Sequence, residues 1–300
     1  MDRFEAIAAF RAVVEAGSFT AASRRLRVPL ATVSRRVTEL EAVLAVRLLN
    51  RTTRRVALTD VGRQFFEASR RILEDLGEAE RAATGEGRDP HGELVVTAPI
   101  VFGRLHLVPM IATFLARFPA VDVTLLLNDR PVSLIDENID LALRIGELGD
   151  SSMVAIRIGS AKTLVCAAPG YLDRHGTPAH PADLARHDCI AFTGLSGSRE
   201  WPFPIGRKRQ MIPIRTRLVV TTAEAAIDAA IAGVGITRVL SYQVGVAIKE
   251  RRLRPLLSDF EFEPVPVHFA HLSGRLVSAK LRAFLDFATP RLRSRLQSAL

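Results

Sequence analysis

Residues 19–60 read FTAASRRLRVPLATVSRRVTELEAVLAVRLLNRTTRRVALTD, and this stretch decides the fold of the amino-terminal part of the chain. The pattern predicts a first helix over about 20–26. The Thr20 hydroxyl is its expected N-cap, because a threonine oxygen can accept a hydrogen bond from a free N–H of the first turn. Residues 27–28 are expected to form a tight turn. Pro29 suits the start of a second helix, where its missing N–H costs nothing, and a two-stranded wing should follow that helix.

The second helix, which should run to about Leu44, has an apolar and a polar side. Its apolar residues lie three and four positions apart and therefore share one face: they are Leu30, Val33, Val37, Leu40 and Leu44. The other faces carry Thr32, Ser34, Arg35, Arg36 and Thr38. A recognition helix is built in this way, because one face packs into its domain while the other offers donors to phosphates and base edges.

The charge of this segment points to DNA as its partner. Between Thr20 and Leu58 there are nine arginines and two glutamates, a net charge of +7 out of the formal +9 of the whole chain. Arginine suits bidentate contacts with guanine or phosphate. A solvated basic face on an ordinary helical domain is the alternative, and charge alone does not separate the two. Charge, helix-turn-helix spacing and a basic wing together favour DNA binding. The expected DNA contacts are Thr20, Thr32, Ser34, Arg35, Arg36, Thr38, Arg51, Thr52, Arg54 and Arg55.

Length and composition limit the other possibilities. Three hundred residues suit two or three domains, and a hydrophobic content of 48% supplies buried cores. Neither a membrane span nor a signal peptide is expected, because no run of 18 apolar residues occurs and charges interrupt residues 1–17. The two cysteines, Cys166 and Cys189, fit a reducing cytoplasm. We therefore expect a cytoplasmic protein without a cofactor, whose basic residues bind DNA rather than a membrane surface.

The same residues resemble the winged helix-turn-helix of the LysR-type transcriptional regulators. The matching positions are Phe10, the run 17–22, Leu26, Val28, Ser34, Arg35, Leu40, Glu41, Leu48, Arg51, Thr52, Leu58, Thr59 and Gly62. The resemblance continues to the carboxyl terminus and covers essentially the whole chain. One departure is the segment 29–31, Pro-Leu-Ala, which lacks a polar side chain that the family often has at the start of the recognition helix. Base reading should therefore shift toward Thr32, Ser34, Arg35 and Arg36.

A long helix is predicted after the wing, over about 60–83. Its apolar residues form a stripe between charged flanks: Val61, Phe65, Ala68, Ile72, Leu76 and Ala83. Such a stripe packs either on its own domain or on a partner helix. The resemblance favours a linker helix that pairs antiparallel with its twin, so that a homodimer meets a two-fold DNA site. It also implies a homotetramer as the favoured assembly and admits RNA polymerase as a further partner. The helix should stop at a hinge over 84–90.

From Gly92 onward, strands alternate with helices, which predicts a largely parallel sheet. The main expected strands are 93–98, 121–127, 140–145, 217–221, 235–239 and 265–272, and the expected helices are 106–118, 133–138, 224–233 and 278–288. This order resembles the family's regulatory domain, which is similar to periplasmic binding proteins. The resemblance implies an α/β multidomain chain: a winged helix-turn-helix (1–60), a linker helix and hinge (61–89), and an effector-binding domain (90–300) with lobe I at about 90–161 and 265–300 and lobe II at about 162–264.

The cleft between these lobes is the expected effector site. Helix amino termini meet there, and their free N–H groups favour anions. The resemblance implies a small molecule, often an organic acid. The matching positions are Thr97, Ala98, Pro99, Ile100, Asn128, Arg144 and Gly146 on one wall, and Phe192, Thr193, Thr222, Gly235 and Ile236 on the other. Two simpler interpretations stay open: Thr222 as the cap of the helix 224–233, and Arg144 as a solvent-facing side chain.

Motifs for catalysis and metal binding fail on their context. Residues 194–198 lack the final glycine of a nucleophile elbow, and His187 with Cys189, or His268 with His271, make no four-ligand metal set. No enzyme is therefore expected. A periplasmic binding module is the competing class, but the arginine-rich helix-turn-helix argues against it. The sequence predicts a sequence-specific transcriptional regulator whose DNA binding or promoter activity responds to a small-molecule effector.

Overall fold

The computed structural model describes residues 2–51, 56–84, 89–130, 132–149, 152–195, 199–206, 208–261, 263–273 and 277–297. The chain divides into two compact units, Met1–Arg88 and Asp89–Leu300. Each unit has a hydrophobic core of its own.

The first unit is a winged helix-turn-helix followed by a long helix. Its elements are α1 (Arg3–Ala16), α2 (Phe19–Leu26), α3 (Leu30–Leu44), β1 (Leu49–Arg51), β2 (Val56–Leu58) and α4 (Asp60–Thr84). Strands β1 and β2 pair antiparallel and form the wing. Phe10, Val37 and Leu48 are fully buried in the core beneath these helices. The predicted helix-turn-helix is confirmed, and its periodicity places both helices within one residue of their observed ends.

The turn between α2 and α3 is held by local hydrogen bonds. Arg27 adopts the left-handed backbone conformation with φ 55°. The Ser23 hydroxyl donates to the carbonyl oxygen of Val28 at 2.7 Å and so closes the turn. The expected cap at Thr20 is wrong: the Ser18 oxygen accepts the N–H of the third residue after it at 3.1 Å. Serine fills the capping position one residue before the helix, and Thr20 is exposed within α2.

The long helix α4 has an apolar face toward its own unit and a second apolar strip beside it. The face that packs on the core consists of Phe65, Phe66, Ser69 and Leu73. The ring centroid of Phe65 lies 5.6 Å from that of Phe10. The strip beside this face, here called the outward strip, consists of Val61, Ala68 and Ile72, and all three side chains are exposed. The single predicted stripe is therefore divided, because Phe65 packs within its own unit.

The second unit contains two lobes, each built on a five-stranded sheet. Lobe I is made of β3 (Gly92–Ala98), α5 (Ile100–Phe102), a π-helical segment (Gly103–Leu107), α6 (Val108–Arg117), β4 (Val121–Leu127), β5 (Leu141–Ile145), β6 (Met153–Ala161), β14 (Val265–Leu272) and α10 (Ala279–Gln297). Its strands are ordered β4-β3-β5-β14-β6.

Lobe II follows directly on β6 in the chain. It is made of β7 (Thr163–Ala167), α7 (Pro169–His175), β8 (Asp188–Phe192), β9 (Glu200–Ile205), β10 (Lys208–Pro213), β11 (Arg215–Val220), α8 (Ala223–Ile231), β12 (Ile236–Leu240), α9 (Ser241–Lys249) and β13 (Arg254–Leu256), with short 3-10 helices at Pro181–Arg186 and Ser258–Phe260. The main sheet is ordered β11-β8-β12-β7-β13, and β9 and β10 form a separate hairpin.

The predicted α/β class is confirmed, but the largely parallel sheet is not. In lobe I, β3 runs parallel to β4 and β5, whereas β14 runs antiparallel to β5 and β6. In lobe II, β8 has parallel neighbours and β7 has antiparallel ones. The prediction of a largely parallel sheet was wrong because the alternation of strands and helices gives no information about the direction of a strand that returns from the other lobe.

Two helices also differ from their predictions. Residues 134–138 form hydrogen-bonded turns instead of a helix, and Asn138 has a left-handed φ of 58° there. The helix expected at 106–118 begins earlier, and the continuous helical stretch Ile100–Arg117 is long and apolar enough to cross a membrane by length and composition alone. It packs in lobe I through buried side chains such as Phe114, so it is a core helix.

Candidate DNA-binding surface and effector cleft

The exposed face of α3 presents small residues around one arginine. Ala31, Arg35 and Thr38 are exposed and lie four and three positions apart, so they share a face. The Arg35 side chain is 71% exposed, and its Nε lies 3.9 Å from the carboxylate of Glu39. A contact that long and that exposed holds the guanidinium weakly. Arg35 is thus available to a ligand approaching this face.

Arg36 has a different environment from Arg35. Its guanidinium donates to the carboxylate of Glu5 on α1, and its side chain is only 22% exposed. Thr32 and Ser34, which flank the exposed face, are half-buried. Arg36 therefore links α3 to α1, although the sequence pattern had placed it among the base-reading residues. The spacing of residues within α3 could not reveal this pairing, because the partner lies on another helix.

A carboxylate on α3 fixes where the wing begins. The Glu41 side chain accepts the backbone N–H groups of Leu48 and Leu49 at 2.9 and 3.1 Å. Both N–H groups belong to the segment that enters β1, so the wing is tied to the recognition helix. The sequence showed Glu41 as a charge and as a position matching the family, but not this pair of hydrogen bonds. Of the expected wing contacts, Arg51 ends β1, and Thr52, Arg54 and Arg55 lie outside the described residues.

The two lobes of the second unit meet around the start of the helical stretch at Ile100. Arg104 of lobe I forms an ion pair with Glu224 of lobe II, with Nε and Oε1 3.6 Å apart. The ring of Phe102 packs edge-on against Tyr242 of α9, with centroids 5.2 Å apart, and the His106 ring also contacts Tyr242. These contacts join lobe I to lobe II.

Asp129 lies at the centre of this contact zone. Its Oδ1 accepts the backbone N–H of Ile100 at 3.0 Å. A Cβ placed on Gly194 of lobe II would lie 3.2 Å from the Asp129 Cβ, so the two lobes are close here. Burial raises the pKa of Asp129, and the negative charge of Glu224 raises it further, against the hydrogen bond from Ile100. The carboxylate thus occupies the amino terminus of a helix, where an anion binds most favourably.

Two polar residues expected to bind an effector are engaged within lobe I. Thr97 is 2% exposed, and its hydroxyl donates to the carbonyl oxygen of Leu126 at 3.0 Å. The Arg144 guanidinium donates to the carbonyl oxygen of Val132 at 2.6 Å, and burial lowers the pKa of Arg144. Arg144 is therefore not the solvent-facing side chain of the simpler interpretation. At least one of its N–H groups is bound to the Val132 carbonyl and is not available to an effector.

Three residues expected on the second wall have structural roles. The Thr222 oxygen accepts the N–H of Ala225 at 3.4 Å and caps α8, as the simpler interpretation had it. Gly235 lies against the neighbouring strand, where an added Cβ would stand 2.2 Å from the carbonyl oxygen of Asp188. Ile236 is fully buried in the cluster around Trp201. Gly235 and Ile236 therefore have packing roles in lobe II, and their contact with an effector stays a prediction.

The remaining predicted positions do not form one set. They are Ala98 and Phe192, which are buried, Pro99, which precedes α5, Asn128 and Thr193, which are exposed, and Gly146, which has a φ of 108°. The contacts of Phe102, Arg104, Asp129 and Tyr242 were not predictable from the local sequence pattern. Asp129 directly follows Asn128 after the end of β4. The sequence prediction named Asn128, one residue before it.

The two cysteines are buried. Burial raises the pKa of each thiol to about 12, and the thiolate is the reactive form. We expect iodoacetamide at about pH 8 to label neither Cys166 nor Cys189 in the folded protein and both in guanidinium chloride. Mass spectrometry of the labelled chain measures this, and stoichiometric labelling of the folded protein would contradict it.

A winged helix-turn-helix followed by a two-lobed α/β domain with a cleft defines a ligand-responsive DNA-binding regulator. Residues 4–63 match the model of the bacterial regulatory helix-turn-helix protein of the lysR family, and residues 87–293 match that of the LysR substrate binding domain. The chain belongs to the LysR family of transcriptional regulators. Members of this family bind DNA through the helix-turn-helix, bind small-molecule effectors in the second domain and form oligomers.

Full-length relatives support this assignment. The regulator CrgA of Neisseria meningitidis serogroup B is 33% identical over 289 residues, covering 96% of each chain. The solved structure of CrgA has a TM-score of 0.61 at 33% identity and covers 96% of this chain and 98% of CrgA. Full-length AphB, a virulence activator of Vibrio cholerae, has a TM-score of 0.60 at 28% identity and covers 95% of this chain and 97% of AphB.

Proposed function

We propose that this regulator reads its operator with the exposed face of α3, and that Arg35 supplies the main base contact. The supporting observation is the contrast between two neighbouring arginines: Arg35 is 71% exposed, whereas Arg36 is 22% exposed and paired with Glu5. An exposed guanidinium that is only weakly held can reach guanine with two parallel hydrogen bonds. The wing, with Arg51 at its edge, is assigned to phosphate contacts. In this proposal residues 1–60 bind DNA, 61–89 link and 90–300 sense the effector.

The test compares Arg35→Ala with Arg36→Ala on the promoter next to the protein's own gene and on random duplex DNA. For Arg35→Ala we expect a loss of about 1–3 kcal/mol on the promoter and a smaller loss on random DNA, because a base contact carries sequence preference. Arg36→Ala should cost thermal stability and leave the preference intact. Fluorescence anisotropy over a salt series measures both. Equal losses on the two DNAs for Arg35→Ala would place this side chain on a phosphate.

The assembly proposed here is a homodimer through α4, extended to a tetramer as the resemblance implies. Its support is the outward strip of Val61, Ala68 and Ile72, where Val61 and Ile72 are 50% and 46% exposed. A helix that exposes apolar residues beside its packed face is suited to a partner helix. We also propose RNA polymerase as a partner at the promoter, as the resemblance admits. We also infer a cytoplasmic regulator without catalytic activity, because the relatives that it matches are named as transcriptional regulators.

The proposed effector is a small organic molecule bound between the two lobes of the second unit. An organic acid was the first expectation, on account of Arg144 and the helix start behind Thr222. Both features are engaged within the protein, through the Val132 carbonyl and the N-cap of α8. The acid class therefore rests on the family resemblance alone. DNase footprinting with and without candidate metabolites tests the effector response, and an unchanged footprint with every class of compound would argue against it.

A further inference from the structure

A groove on lobe I lies between α10 and the edge strand β6. Its cavity has a volume of about 420 Å³, and small-molecule sites in proteins commonly have about 300–1,000 Å³. Strand β6 is the last strand of the lobe I sheet, and Ile156 of β6 forms part of the groove wall. The described lining residues include none of the three that join the two lobes, Phe102, Arg104 and Tyr242.

One buried side chain brings a hydrogen-bond acceptor to this groove. His271 of β14 lines the groove and is only 7% exposed. Its Nδ1 lies 3.1 Å from the carbonyl oxygen of Leu272. Because a carbonyl oxygen can only accept, Nδ1 carries the proton of the neutral ring and Nε2 carries a lone pair. Among the described residues no group donates to Nε2, so a ligand that supplies an N–H is favoured here.

The side of α10 that lines the groove carries charges of both signs. Arg282, Asp286 and Arg293 line it and lie four and seven positions apart, so they share one helix face. All three are exposed, and Asp286 forms no ion pair within the described part of the chain. Arg293 donates to the Arg157 carbonyl through Nε and Nη2 at 3.1 and 2.9 Å. Arg282 is held more weakly, by one contact of 3.4 Å to the Val277 carbonyl.

Pro290 adds a second acceptor beside the Asp286 carboxylate. Proline has no N–H, so the helical hydrogen bond from position 290 to the carbonyl oxygen of Asp286 is absent. Both residues line the groove, and so do the apolar side chains of Ile156 and Leu285. The groove therefore combines acceptors on α10 and at His271 with an apolar wall.

We propose that this groove binds a small apolar α-amino acid, as a second ligand site of the protein. The ammonium group donates to Asp286 and to Nε2 of His271, the carboxylate pairs with Arg282, and the apolar side chain packs on Ile156 and Leu285. An α-amino acid carries both charged groups on one carbon. This arrangement suits a carboxylate and a guanidinium that are one helical turn, about 6 Å, apart. The site goes beyond the proposed effector site between the lobes and is tested separately.

The experiment measures the melting temperature of the full-length protein with three related compounds. They are leucine, leucinamide hydrochloride, which lacks the carboxylate, and sodium isocaproate, which lacks the ammonium group. Each is added at about 10 mM and equal ionic strength. Leucine should raise the melting temperature by about 2 °C or more, because a ligand that binds the folded state stabilises it. The two compounds with a single charge should not, because each leaves Asp286 or Arg282 without its partner.

Two substitutions on α10 locate the response. Asp286→Asn removes the charge that pairs with the ammonium group, and Arg282→Gln removes the partner of the carboxylate. Both residues are exposed, so the fold should be retained, and each variant should lose the leucine shift. Asp228→Asn changes an exposed carboxylate on α8 of lobe II and, as the matched control, should keep it.

Three results would overturn the inference. They are a shift with leucinamide or isocaproate equal to that with leucine, a leucine shift that persists in either α10 variant, and no shift with leucine in the wild type. Circular dichroism of each variant checks that it is folded before the comparison is made. If one α10 variant does not fold, the other decides the outcome.

Discussion

Replacing Ile72 with aspartate is expected to dissociate the assembled protein while its winged domain stays folded. Ile72 is 46% exposed on the outward strip of α4, so a carboxylate there is hydrated in the monomer and costs the fold little. In a paired-helix interface the same carboxylate loses its water without gaining a partner, which is costly. Operator affinity should fall by about 10² or more, because two linked recognition helices bind far more tightly than one.

Two further substitutions on α4 make this result specific. Phe65→Asp places a carboxylate beside Phe10, whose ring centroid is 5.6 Å from that of Phe65, and should unfold the first unit. Glu67→Gln changes an exposed side chain on another face of the helix and should leave assembly unchanged. Sedimentation velocity gives the oligomeric state, and circular dichroism gives the fold. An unchanged sedimentation coefficient for Ile72→Asp would show that the outward strip is not an interface.

The difference between Phe65 and Ile72 illustrates how far periodicity can lead. Both residues lie on the predicted apolar stripe seven positions apart, and the sequence treats them as equivalent. The structure separates them, because the aromatic core of the first unit reaches Phe65 and not Ile72. The helix α4 itself was predictable from local spacing. The division of its apolar surface was not, because it depends on the packing of Phe10 of α1 against Phe65.

Charged residues show the same limit more sharply. The exposed face of α3 follows from helical spacing, so the exposure of Arg35 was predictable. The role of Arg36 was not, because its partner Glu5 lies 31 positions earlier on α1. In the second unit, the end of the strand before Asn128 was predicted correctly, but the hydrogen bond of the next residue, Asp129, was not, because it accepts a backbone N–H 29 positions away. Pairings over such distances depend on the fold and leave no local pattern.

Gly235→Ala is expected to destabilise the second unit strongly, although the sequence had suggested an effector contact at Gly235. The new Cβ would stand 2.2 Å from the carbonyl oxygen and 2.8 Å from the carbonyl carbon of Asp188. These are backbone atoms of β8, which is paired with both β11 and β12 and cannot shift alone. We expect a loss of about 3 kcal/mol in the free energy of unfolding, or about 6–12 °C in melting temperature.

Gly170→Ala is the matched control for this prediction, because an added Cβ at Gly170 meets no atom within 4 Å and the residue lies in α7 of the same lobe. Alanine favours a helix over glycine by about 1 kcal/mol, so this variant should melt at or above the wild-type temperature. Differential scanning calorimetry of the full chain measures both variants. If Gly235→Ala melted like the wild type but lost its response to every effector, the glycine would serve the ligand after all. The close approach of Gly235 to the Asp188 carbonyl instead indicates that the packing of β8 against the start of β12 requires a glycine at this position.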